Sequence, residues 1–133
     1  MDIEQLRKQT NLLIELNQAA LKAYQKARET NEAGDFFKEV KPFADRVKMV
    51  CDEWLPQVVK WVERTRPKHI HPIQLKNVSE NIQMVSVRAF YPETSLKKFK
   101  GHIQSVDYVL NRLLEELEIT EDSNTTDITF DQN

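Results

Sequence analysis

A chain of 133 residues, 40% apolar and 30% charged, has room for one domain with one core inside a well-solvated shell. Its formal charge is only -2, and no uninterrupted apolar run exceeds three residues, which excludes a spanning helix of about 20 apolar residues. Two glycines and one cysteine exclude a Gly-rich phosphate loop, a dinucleotide fingerprint and an internal disulfide.

The first predicted element follows from Ile3, Leu6, Leu13, Ala20, Tyr24 and Ala27, a helical stripe that also carries Thr10 and Asn17. Asp2 with Gln5 reads as a capping box and Gly34 as the stop, giving a helix over about residues 3–32. Phe36, Phe37 and Val40 suggest a short helical turn, and Pro42 disfavours helix at Lys41. A second face then runs through Phe43, Val47, Val50, Trp54, Val58, Trp61 and Val62. Pro56 lies inside it, so a kink near Asp52–Pro56 is expected within one helix.

The third helix starts at Pro72, carries Leu75, Val78, Ile82, Val85 and Ala89, and stops before Pro92. In the fourth, capped by Thr94 or Ser95, the residues Leu96, Phe99, Ile103, Val106, Leu110, Leu113 and Leu117 alternate in steps of three and four. Connections of a few residues leave little choice but sequential antiparallel packing. The expected fold is therefore all-α, an up-down-up-down antiparallel four-helix bundle over residues 1–118. Periodicity ends there, and residues 119–133, rich in Ser, Asn, Thr and Asp, are expected to form a disordered acidic C-terminal tail.

His71-Pro72 opening a helix, the run Val85 to Phe90, Thr94-Ser95 with Lys98-Phe99, and Tyr108-Val109-Leu110 together resemble the YppE-like family of small uncharacterised proteins from Bacillus and its relatives. The resemblance implies an all-helical bundle from a bacterial cytosol. It implies no activity and supplies no functional residues.

The remaining motifs favour structural roles. His69 and His71 lack a third metal ligand at a fixed spacing, and His102 is remote in sequence, so the histidines are expected to flank a loop and hold no metal. Cys51 sits on an apolar face as a small core residue, without a base to activate it. Trp54 and Trp61, seven residues apart, read as core, and Asn17 as a buried residue that fixes register. Adjacent carboxylates such as Glu115 and Glu116 diverge around a helix, leaving no acid/base pair. No catalytic residue and no cofactor is expected.

Charge is the uneven feature. Residues 60–112 carry ten basic and four acidic side chains, a net of +6, whereas residues 113–133 carry none and seven, a net of -7. The expected function is accordingly a non-enzymatic protein-interaction module, with a protein partner or self-association. The alternative is weak polyanion or nucleic-acid binding through Arg64, Arg66, Lys68, His69, His71, Lys97, Lys98 and Lys100, screened by the acidic tail. No helix joins a strong apolar face to a clustered Lys/Arg face, so membrane-surface binding is not expected. The start Met1-Asp2-Ile3-Glu4 lacks the features of a secretory signal, and a cytoplasmic location follows as an expectation; the Asn-x-Ser/Thr matches at Asn77 and Asn124 then carry no glycosylation.

Overall fold

In the computed structural model, which describes the backbone of residues 2–131 and the side chains of residues 2–119, four helices alternate in direction. They are α1 (Ile3–Thr30), α2 (Lys41–Thr65), α3 (Pro72–Arg88) and α4 (Leu96–Asp131). Helix α1 packs on α2 and α4, α3 packs on the same two, and α1 meets α3 across the middle. Apart from Ile119, the side chains of the expected tail lie outside the described residues.

The apolar stripes turn inward as their spacing requires. Leu6, Leu13, Tyr24, Val47, Trp54, Trp61, Leu75, Ile82, Phe99, Leu110 and Leu113 are among the buried residues of one continuous core. Each side chain fully withdrawn from water contributes about 1.5–3 kcal/mol, so the interior is a sufficient reason for these helices to associate. Leu96 departs from its stripe. At the first position of α4 it stays 42% exposed, at the edge of a shallow groove against Leu21, Tyr24 and Arg28 of α1.

Two buried polar groups fix how α1 meets its neighbours. The Trp54 indole donates to Thr10 Oγ1 at 3.1 Å, and the Thr10 hydroxyl donates to the Leu6 carbonyl at 2.7 Å. Asn17 is fully buried, and its Nδ2 donates to the Ile103 carbonyl and to Asp107 Oδ1, both at 3.0 Å. Gln18 adds a 2.6 Å bond to Asp107 Oδ2. Sliding α4 along α1 by one turn would break this set and strand a carboxylate against an apolar seam, which gives Asn17 its register role.

Helix ends differ from the sequence expectation at α4, whose backbone stays helical to Asp131 past the expected end at residue 118, and in two further places. Helix α1 stops at Thr30 because Asn31 takes the left-handed conformation, φ 56°, and caps the helix in place of Gly34, where the stop was expected. Gly34 serves a different end: its N–H donates to the Phe90 carbonyl at 2.8 Å, and a Cβ there would stand 2.8 Å from Phe90 Cδ1. At Lys41 the backbone is helical despite Pro42, because Lys41 donates to the Phe36 carbonyl and closes a π turn over Phe36–Val40 that leads directly into α2. Pro42 then occupies the first turn of α2, where its missing N–H is harmless. Pro56 lies within α2, which remains one helix.

Candidate functional site

Antiparallel packing sorts the eight basic candidates into two groups at opposite poles. At the pole where α2 ends and α3 begins stand Arg64, Arg66, Lys68, His69 and His71, all exposed. The chain is turned there by Arg66 in the left-handed conformation, φ 48°, with its N–H on the Val62 carbonyl, and is anchored by Ile70, which is buried in the core. His71 caps α3 through its backbone, its N–H donating to Gln74 Oε1 at 2.7 Å. The loop is thus held by groups other than its charges, which are free to face solvent.

Lys97, Lys98 and Lys100 occupy the first turns of α4 at the other pole, also exposed, with Ser95 capping the helix through the Lys98 N–H. Lys100 and Glu29 line one shallow groove beside Tyr24 and Arg28, and among the described residues no ion pair joins the three lysines to Glu29, Glu32 or Asp35. The 17 residues of α3 separate the two basic groups by roughly 25 Å. The structure therefore does not bring the eight residues into one track.

A feature that sequence reasoning missed lies at the Lys97 pole. Phe36 and Phe37, placed by their spacing in a helical turn, are 51% and 77% exposed and stack edge to face with ring centroids 5.1 Å apart. The π turn explains this. Its extra residue per turn sends Val40 into the core and leaves the preceding aromatic pair outside. The turn is firmly held: Asp35 Oδ1 accepts from the Lys38 N–H at 2.8 Å, and Glu39 Oε2 accepts from the Asp35 N–H at 2.7 Å. The only sequence signal was that reciprocal Asp35/Glu39 pair around two phenylalanines.

Beside this knuckle, and sharing Glu39 with it, opens a notch with walls of Ala23, Ala27, Ala33 and Gly34 and with Phe90 at its side. Lys26, Glu32 and Glu39 stand at its edge. Phe90 is braced by Phe43 at 5.7 Å between ring centroids and by the Gly34 hydrogen bond. Small residues along one wall and a fixed ring at another leave a shallow recess, with Thr30 and the charged side chains completing its lining. Nothing in this lining suits bond-making chemistry.

Elsewhere the titratable groups are quiet. Cys51 is buried between α2 and α3, and loss of water pushes its thiol up to about 11, against weaker opposing hydrogen bonds from Ser79 and Gln83. A thiol held neutral is a poor nucleophile. Among the described residues no three His, Cys, Asp or Glu side chains are grouped to hold a metal ion, and no helix is long and apolar enough to cross a membrane.

The model of a bacterial domain of unknown function, DUF1798, matches residues 10–117. The uncharacterised protein YppE of Bacillus subtilis is 26% identical over 112 residues, covering 84% of this chain and 91% of its own. A Listeria innocua protein of unknown function is 32% identical, and its crystal structure superposes with a TM-score of 0.85 over 90% of this chain and 96% of that one. The YppE crystal structure gives the same TM-score over 92% and 99% of the two chains. A Staphylococcus aureus domain at 18% identity, TM-score 0.81 over 88% of this chain and 99% of that one, shares the fold.

Proposed function

From the premise that the chain belongs to the DUF1798 family of bacterial domains of unknown function, we propose that it is a non-enzymatic protein-interaction module whose contact surface is the pole bearing Phe36 and Phe37. The observation that carries this reading is the exposed aromatic pair on a doubly capped turn. A backbone already fixed by these caps loses little entropy on contact, and exposed aromatic side chains are frequent anchors at interfaces. Val40 is the residue of this turn that packs inward, and Phe37, 77% exposed, has little packing reason to be aromatic.

Polyanion binding is the less supported alternative, since its two basic groups stand at opposite poles and each presents only three lysines or arginines. Binding of that kind weakens steeply with salt through counterion release, whereas an aromatic contact does not. A cytoplasmic location suits the interaction reading.

The test is the size of the protein in extracts of cells that make it. Elution well above the monomer, lost on the joint change Phe36→Ser and Phe37→Ser while the melting temperature stays within about 2 °C, supports the reading. Elution of both forms as monomers at all salt concentrations contradicts it.

A further inference from the structure

The α2–α3 pole, opposite Phe36 and Phe37, holds a cleft of about 530 Å³ bounded by Val62, Pro67, Ile70 and Pro72, with Glu63, Arg66 and His71 as its polar lining. That volume, and a mostly apolar wall broken by a few polar groups, are those of a site for a small organic molecule. We propose that the cleft binds an amphiphilic monocarboxylate, its apolar body against Val62, Ile70 and the two proline rings and its carboxylate on Arg66 and His71.

The cleft is built on a strained residue. Arg66 ends α2 in the left-handed conformation, φ 48° and ψ 58°, at a position where glycine or asparagine is the usual occupant; Asn31 fills the equivalent place after α1. A side chain with a Cβ is disfavoured there, and the turn itself is closed by the backbone, the Arg66 N–H donating to the Val62 carbonyl at 2.8 Å. The guanidinium is therefore not what turns the chain; what it adds is a cation at the cleft. Pro67 and Pro72 hold the two sides through their locked φ, and buried Ile70 ties the loop to the core, so the cleft exists before a ligand arrives.

Charge selects the ligand. From Val62 to Pro72 the chain carries Arg64, Arg66 and Lys68 against Glu63, a net of +2, and no ion pair among the described residues engages any of the four. Several carboxylates at this pole are committed elsewhere: Asp2 caps α1, Glu4 pairs with Arg7 and Glu115 with Arg112. Glu118 and the acidic residues that follow it in α4 compete for the same cations. A bare anion gains little against that competition, whereas an apolar body adds burial of its own. Glu63, itself in the lining, disfavours a second negative charge on the ligand.

Titration of the isotope-labelled full chain with octanoate, followed by amide NMR shifts, tests the assignment. The expected result is saturable shifts centred on residues 62–73, with a dissociation constant on the order of 1 mM, the weak affinity that about ten non-hydrogen atoms allow. Acetate, which lacks the body, and octanamide, which lacks the charge, should each bind at those residues at least about fivefold more weakly. Arg66→Gly suits the left-handed backbone, so its melting temperature stays level or rises while octanoate affinity falls at least about fivefold. Arg66→Asn should behave alike, and Lys97→Ala, at the other pole, should leave affinity unchanged. Absence of shifts at residues 62–73 up to about 20 mM octanoate overturns the inference, as does octanamide or Arg66→Gly matching the parent's octanoate affinity. None of these outcomes bears on the Phe36–Phe37 surface, which lies at the opposite pole.

Discussion

Replacing Asn17 by alanine removes its bonds to the Ile103 carbonyl and to Asp107 Oδ1, each 3.0 Å long, at a fully buried position. A bond to a carboxylate contributes about 1.5–3 kcal/mol and a neutral one about 1 kcal/mol. Two features reduce the loss. Asp107 keeps its bond from Gln18, and Asn17 Oδ1 is buried without a donor in the native structure, a desolvation cost of about 1–3 kcal/mol that the variant removes. The expected net effect of Asn17→Ala is a destabilisation of about 1–3 kcal/mol, and combining it with Asp107→Ala in a double-mutant cycle yields a coupling of about 0.5–2 kcal/mol. Asn17→Leu should lie within about 1 kcal/mol of the parent, because it trades the two bonds for an apolar contact and removes the orphaned oxygen. Urea unfolding supplies the free energies. Line broadening of α1 and α4 amides by NMR reports register exchange, which the Leu variant should show and the parent should not. A coupling below about 0.3 kcal/mol, or a Leu variant with a single sharp register, would refute the claim that this network pins α1 against α4.

Gly101 is exposed in α4 with nothing within 4 Å of an added Cβ, so Gly101→Ala should raise stability by about 0.5–1 kcal/mol in urea titration. Gly34→Ala should lower it by about 1–3 kcal/mol, since the new methyl meets Phe90 Cδ1 at 2.8 Å and the loop must move away from α3; an unchanged midpoint counts against that close approach. For Cys51 the folded thiol titrates near 11, above its ordinary value of 9.0, so the native state holds the proton where the unfolded chain has lost it. Stability from this source is complete below pH 9 and falls by about 1.4 kcal/mol per pH unit as pH rises from 9 toward 11. Cys51→Ala should lack that component, and a thiol reagent should label the native parent far more slowly than the urea-unfolded chain.

The bundle was legible because helical periodicity survives in nearly every segment. Alternate steps of three and four from Phe99 to Leu117 locate the buried face of α4 without further information, and Cys51, Trp54 and Trp61 lie in the core where their spacing puts them. Asn17 was legible for the same reason, as a polar residue on an apolar stripe, although its partners Ile103 and Asp107 lie 86 and 90 residues away. What periodicity does not encode is a change of helical pitch. A π turn shifts the face by one residue, so Phe36 and Phe37 read as an ordinary helical turn and emerge on the surface, while Lys41 is helical against the local preference set by Pro42. The notch was equally hidden, since Ala23, Ala27, Gly34 and Phe90 are small or unremarkable residues until the loop after α1 is tied to the end of α3 by one backbone bond.

The most direct test of an interaction surface at the Phe36–Phe37 pole is site-specific photo-crosslinking in cells that make the protein. A photoreactive residue is placed at position 37 in one variant and, as the control, at Tyr108, which is 69% exposed on the outer face of α4. Discrete protein adducts from position 37, with none from position 108, are the predicted result. Absence of adducts at 37, or the same adducts from both positions, would contradict the account.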